Sequence, residues 1–181
     1  LLEDERGTYI FNSKDLCMIA HMPQLFSSGI TSLKIEGRMK GIHYLATTVK
    51  VYRTAIDAYF KDPEKYAVQP EWLESLGKLS NRGYCTGFYL GDPEQTLPNY
   101  AGFRSEDQRF IAKALDKIDS RHTRVNVRNK FHVNESIEVM TAREPDRRDR
   151  IHEIRNLHHQ SLPFAQSGST VIVKLQRSAS P

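Results

Sequence analysis

The chain has 181 residues, 39% hydrophobic and 27% charged, with a net charge of +4. That length excludes a complete eight-stranded (β/α) barrel, which takes roughly 250 residues, and no stretch approaches the ~20 continuous apolar residues of a membrane span. Two cysteines, Cys17 and Cys85, are too few for a disulfide framework and point to a reducing, cytoplasmic setting. The opening LLEDERGTYIF has no basic region followed by an apolar run and no initiator Met, so a fragment without a signal peptide is expected.

In chain order, Thr8 to Phe11 is β-branched and aromatic behind Gly7, the pattern of a buried strand. Asn12 to Asp15 is a polar turn able to cap a helix, with Leu16, Ile19 and Met22 on its face. Pro23 fits the first turn of the next helical piece and Gly29 its end. Ser32 to Ile35 is a second strand candidate, followed by Glu36, Gly37 and Arg38. From Gly41 the period turns helical: Ile42, Leu45, Val49, Tyr52, Ile56 and Tyr59 recur every three or four residues, and Asp62-Pro63 ends the run. Residues 8–60 thus read β-α-β-α with two parallel strands. In such folds polar residues just past a strand's carboxyl end face the ligand.

Glu71 to Leu79 reads as a short helix. Gly83 and Gly87, four apart among aromatics, mark a tight turn or a close backbone approach. The Pro- and Gly-containing stretch 91–105 is the expected linker. Beyond it the period drops to two, with Val125/Val127, Ile137/Val139 and Val171/Val173 each two apart and Asn134 at a turn. Residues 106–177 therefore read as a small β-barrel domain, with 178–181 as a tail. The whole charge excess lies here: residues 1–105 hold 12 basic and 12 acidic residues, and residues 106–181 hold 14 and 10. A basic surface can attract phosphate, and Arg124, Arg128, Lys130, Arg147 and Arg148 are the candidate nucleic-acid contacts. No histidine spacing matches a zinc site. The chain carries no GxSxG, HExxH or glycine-rich phosphate loop.

Four motifs in order, YIFNSKDLCMI, SLKIEGRMK, YLATTVKVYRTAI and NRGYCTGF, resemble the collagenase-like peptidase family of unassigned mechanism. Within it the resemblance is to the bacterial branch that hydroxylates the wobble uridine of tRNA with prephenate. It implies an α/β plus all-β chain: residues 1–90 as the C-terminal portion of a (β/α) barrel-like catalytic domain, then the small β-barrel. It also implies tRNA as partner, a small anionic cosubstrate, and an iron–sulfur cluster for which Cys17 would be one ligand. Where such proteins carry His-Arg-Gly, this chain has Asn81-Arg82-Gly83.

The candidate catalytic residues are Lys34, Glu36 and Arg38. Strand alternation would put Lys34 and Glu36 on one side, able to move a proton, and Arg38 could grip a carboxylate through two parallel hydrogen bonds. Asn12, Ser13, Lys14, Asp15 and Arg82 are the candidate substrate-binding residues, with amides and a helix N-terminus suited to an anion. Cys17, placed in the first turn of a helix, would have its thiolate favoured by the helix dipole. Two rival readings stay open: a collagen-degrading peptidase, and a non-enzymatic RNA-binding or assembly module whose isolated barrel piece is inactive.

Overall fold

The computed structural model describes residues 14–91, 109–142 and 144–176, together with the backbone of 2–4 and 7–9. Asn12, Ser13, the tail and all of the expected linker except Gly91 lie outside the described residues. The chain divides into two compact units, Leu1–Gln108 and Arg109–Pro181.

In the first unit, β1 (Leu2–Asp4) and β2 (Gly7–Tyr9) pair antiparallel as a hairpin. Of the expected strand at Thr8 to Phe11, Thr8 and Tyr9 pair antiparallel with Glu3 and Leu2, and Ile10 and Phe11 lie outside the described residues. β3 (Asp15–Leu16) is followed by a single 3-10 turn at Ile19–His21 and by α1 (Met22–Ser27), which has Pro23 in its first turn. Gly29 closes that stretch at φ +78°. Residues 31–37 form no strand. This corrects the expectation for Ser32 to Ile35: no described strand pairs with it, and an apolar alternation without a hydrogen-bonding neighbour does not make a strand.

The helix predicted from Gly41 is present as α2 (Ile42–Lys61), with Gly41 at its N-cap and Asp62 at its C-cap. Its buried face is rotated from the expected one. Thr47, Thr48, Val51 and Ala55 are buried, while Ile42, Leu45 and Val49 are exposed. The helix is apolar on two sides, and among the described residues of this unit one side finds a partner. That partner is a core of Ile19, Met22, Leu76 and Leu79, with Tyr52 and Trp72 packed at its margin. Leu76 comes from α3 (Pro70–Gly77). Phe26, Tyr59, Phe60, Tyr66 and Trp72 form a chain of ring contacts beside it, at centroid spacings of 4.8–6.2 Å. Last in the unit, β4 (Tyr84–Cys85) pairs parallel with β3, in the register Asp15 to Tyr84 and Leu16 to Cys85. Among the described residues the parallel pairing of this unit is two residues long and joins different segments from those expected.

The second unit is antiparallel throughout. Its strands are β5 (Ala112–Lys117), β6 (His122–Val127), β7 (Phe131–His132), β8 (Ser136–Val139), β9 (Arg147–Arg155), β10 (Ser161–Leu162), β11 (Phe164–Ala165) and β12 (Thr170–Leu175). The main sheet runs β10-β9-β12-β6-β5, with β8 also on β9, and β7 pairs with β11 as a separate ribbon. The described strands make a curled, half-closed sheet, with β5 and β10 as its ends; closure into a full barrel is not seen among them. Period-two alternation holds where it was read: Val125, Val127, Val171 and Val173 point inward with Phe131, Ile151, Ile154 and Leu175. Asn134 makes the β7–β8 turn at φ +71°, a conformation that asparagine tolerates better than most residues.

Candidate functional site

The parallel pairing of β3 with β4 places a charged cluster where the two strands meet. Asp15 is 7% exposed. Its Oδ1 accepts hydrogen bonds from Arg82 Nε at 2.9 Å and Arg82 Nη2 at 2.6 Å. Its Oδ2 accepts from Lys40 Nζ at 3.1 Å, and Lys40 also donates to the Ser80 carbonyl at 2.8 Å. Burial pushes the Asp15 carboxyl up, but the hydrogen bonds from Arg82 and Lys40 outweigh it and hold the carboxyl below its ordinary value. One carboxylate between two cations leaves a formal excess of one positive charge.

Backbone hydrogen bonds fix this geometry. The Asp15 amide donates to the Gly83 carbonyl and the Cys17 amide to the Cys85 carbonyl. Asn81, fully buried, donates from Nδ2 to the Leu79 carbonyl and accepts the Gly83 amide on Oδ1. At the position where relatives of the family were expected to carry histidine, this chain has an asparagine that shapes the turn presenting Arg82. Gly83 sits at φ +84°, which lets that turn reverse so tightly. Lys40 arrives through a second turn, in which its amide donates to the Gly37 carbonyl at 2.8 Å. A Cβ on Gly37 would stand 3.2 Å from the Tyr44 ring, so glycine permits the loop to lie against α2. Lys40 Nζ lies 5.0 Å from the centroid of that same ring.

Three tyrosines border the cluster. The Met18 amide donates to Tyr52 Oη at 3.0 Å, which directs the Tyr52 hydroxyl proton to Cys17 Sγ, 3.9 Å away. Tyr84 Oη donates to the Leu76 carbonyl at 2.7 Å. Burial raises the hydroxyl pKa of all three, with the Cys17 thiol adding to the shift at Tyr52 and Tyr84 and Asp15 adding at Tyr44. They stay neutral across the physiological range, and Tyr52 and Tyr84 serve as hydrogen-bond donors.

The structure brings together two of the five predicted substrate-binding residues, Asp15 and Arg82. Lys14 lies alongside, its stem 3.8 Å from where a Gly83 Cβ would stand. Lys34, Glu36 and Arg38 are exposed. The Glu36 carboxylate accepts the Arg38 amide at 3.0 Å, which shapes the loop that leads into Lys40. Sequence reasoning found that loop but not Lys40, whose partner is 25 residues away and leaves no local signal.

Cys17 follows a two-residue strand and precedes a 3-10 turn, so the expected position in the first turn of an α-helix is corrected. It is half-buried and free. Cys85 pairs with Leu16 and so shares that residue's side of the strands, while Cys17 takes the other. The Cys85 thiol faces the Lys14 carbonyl. Among the described residues no group of three metal-ligating side chains converges. The sequence supplies two cysteines, Cys17 and Cys85, against the four thiolates of an all-cysteine iron–sulfur cluster.

In the second unit the five predicted nucleic-acid contacts divide. Arg124 is held by Asp116 through two hydrogen bonds of 2.7 Å, and Arg147 lies 3.7 Å from the buried Asp149 carboxylate. Arg128, Lys130 and Arg148 are exposed. No described helix is long and apolar enough to cross a membrane.

A two-residue parallel seam carrying a caged carboxylate, followed by a curled antiparallel sheet unit, describes a mixed helix-and-sheet chain with a polar cluster of net positive charge. The model of Peptidase family U32 matches residues 2–99, and that of the Peptidase family U32 C-terminal domain matches residues 106–181. The chain belongs to that family. It is similar to the tRNA hydroxylation protein P1 of Bacillus subtilis (strain 168), at 41% identity over 142 residues, covering 76% of this chain and 33% of that one. It is also similar to the tRNA hydroxylation protein P of Escherichia coli (strain K12), at 42% over 144 residues, 77% of this chain and 30% of that one. A collagenase of Porphyromonas gingivalis is 30% identical over 113 residues, 62% of this chain and 31% of its own length. The chain spans about a third of the length of these relatives.

Proposed function

We propose that this chain is part of a cytoplasmic tRNA-modifying protein that hydroxylates the wobble uridine with prephenate as cosubstrate. The observation that carries the reading is the Asp15–Lys40–Arg82 cluster. It is positively charged and rigidly built, and it lies in a chain about two-fifths identical to proteins named for tRNA hydroxylation. Asp15 holds Lys40 and Arg82 in place, and in this reading the cluster's excess positive charge attracts a dicarboxylate such as prephenate. Lys34, Glu36 and Arg38 lie on the loop leading into Lys40. In this reading Arg38 grips a carboxylate, and Lys34 and Glu36 hold or move a proton at the entrance. Lys14 lies beside Gly83 and, in this reading, takes part in anion binding, the role also expected from the sequence for Asn12 and Ser13. Cys17 would supply one thiolate to an iron–sulfur cluster whose other ligands come from outside this chain, and Tyr52 would hold that sulfur by its hydroxyl.

The test is mass spectrometry of tRNA nucleosides from a deletion strain. Rescue by the complete gene should restore 5-hydroxylated wobble uridine, and the same gene carrying Arg82→Ala should not. Full modification with Arg82→Ala would overturn the site. No change in tRNA on deletion would overturn the function and favour the peptidase reading. That reading is examined directly by collagen hydrolysis with a Glu36→Ala control.

A further inference from the structure

β7 and β11 form a two-stranded ribbon in which successive residues face opposite ways. Phe131 and Ala165 point into the core and are fully buried. Their chain neighbours, His132 and Phe164, are direct cross-strand partners on the outer side. The His132 and Phe164 ring centroids are 5.8 Å apart. Phe164 is 37% exposed and the His132 side chain 51%. Lys130 Nζ stands 4.2 Å from the Phe164 ring centroid. Two further cations adjoin. Arg109 donates to the Lys130 carbonyl at 2.9 Å, and Arg128 begins the loop that carries Lys130. The carboxylate of this region, Glu135, is occupied by His132 through its backbone amide at 3.1 Å and its ring Nδ1 at 2.8 Å.

An exposed ring with a cation on its face, a guanidinium held at the carbonyl of that cation's own residue and a further exposed arginine two positions before it combines two kinds of complementarity. The cations match phosphate. The ring face matches the flat face of a base, which every nucleobase offers once it is unpaired. A duplex hides those faces within its stack, so the matching ligand is a loop or a single-stranded end. We propose that Phe164, His132 and Lys130 form a stacking platform for an unpaired nucleobase of RNA, with Lys130, Arg128 and Arg109 contacting the flanking phosphates. Lys130 covers the ring in the unbound protein. Its flexible four-carbon stem carries the ammonium to a phosphate as the base takes its place. The platform rests on the tRNA reading above but uses none of the residues of the Asp15 cluster.

The experiment measures binding of the full chain to three labelled probes: a tRNA transcript, its isolated anticodon stem-loop, and an RNA duplex of matching length. Phe164→Ala should weaken stem-loop binding about five- to a hundred-fold, the range of a single lost base–aromatic stack, and leave duplex binding within about two-fold. Lys130→Ala should reduce the salt slope by about one for all three probes. Phe164→Trp, which keeps an aromatic face, should retain affinity and show fluorescence quenching by the stem-loop. Duplex binding retained by Phe164→Ala within about two-fold shows that this variant is folded, so its loss of stem-loop binding is not misfolding. If Phe164→Ala binds like the parent, or weakens stem-loop and duplex alike, or if Phe164→Trp is not quenched, the platform is overturned while tRNA binding stands. If the parent chain binds none of the probes, the platform falls together with the tRNA reading.

Discussion

Replacing Asp15 with Asn keeps the shape of the side chain and removes its charge. Three hydrogen bonds from cations, of 2.9, 2.6 and 3.1 Å, lose their ionic acceptor. Removing one partner of a buried ion pair costs roughly 3–5 kcal/mol. The Arg82 and Lys40 side chains are 29% and 19% exposed, however, so water recovers part of the loss. The expected destabilisation is about 2 kcal/mol, between the buried and the exposed limits. In a domain of this size that lowers the melting midpoint by roughly 8–16 °C. The single tryptophan, Trp72, packs against the core of the first unit, so urea denaturation followed by its fluorescence reports on that unit alone. The same cause sets a pH dependence. The folded carboxyl has a lowered pKa, so its contribution is complete above the unfolded value of about 4 and disappears as pH falls through the folded value. Asp15→Asn should therefore flatten the acid limb of the stability curve. A loss under about 0.5 kcal/mol, the scatter of ordinary surface changes, would refute the reasoning.

Asn81→Ala removes two hydrogen bonds from a buried turn and should cost about 2 kcal/mol by the same fluorescence assay; a neutral result would show that the turn does not depend on it. Gly83→Ala meets no close neighbour, so its cost should be the left-handed backbone penalty alone, about 1–2 kcal/mol; a much larger loss would mean that the room beside Lys14 is not there. Asp119 accepts the amides of Arg121 and His122 and faces the His122 ring, which hold its carboxyl down to about 2. Carbon-detected NMR should find it titrating well below the ordinary aspartate value, and a midpoint near 4 would contradict the turn geometry. Arg124→Ala should leave RNA affinity nearly unchanged, because its guanidinium is committed to Asp116, whereas Arg128→Ala should weaken binding and reduce its salt slope.

The second unit was largely legible from the sequence because its signal is local. Alternation over Val125/Val127 directly records which side of the strand is buried, and the structure keeps that side; Val171 and Val173 also face the core, with Ile172 between them buried on the other side. The first unit was less so. The row Ile42, Leu45, Val49 and the row Tyr44, Val51, Ala55 are both apolar, and periodicity alone cannot say which one a neighbour covers. Ser32 to Ile35 has strand chemistry without a strand beside it. The site was half visible: Asp15 and Arg82 stood out as polar residues in turns, but their pairing and the arrival of Lys40 depend on contacts between distant segments. Phe164 was passed over because a lone aromatic beside proline carries no pattern; only its outward register against His132 distinguishes it.

Asp15 and Arg82 are separated by 67 positions along the chain, and α1, α2 and α3 all lie between them. Closing so long a loop is entropically costly until the intervening helices have docked. The caged carboxylate is then among the last features to form and among the first to open. Substitutions there should accelerate unfolding while leaving the refolding rate nearly untouched, so the lifetime of the folded first unit is set at its most polar point.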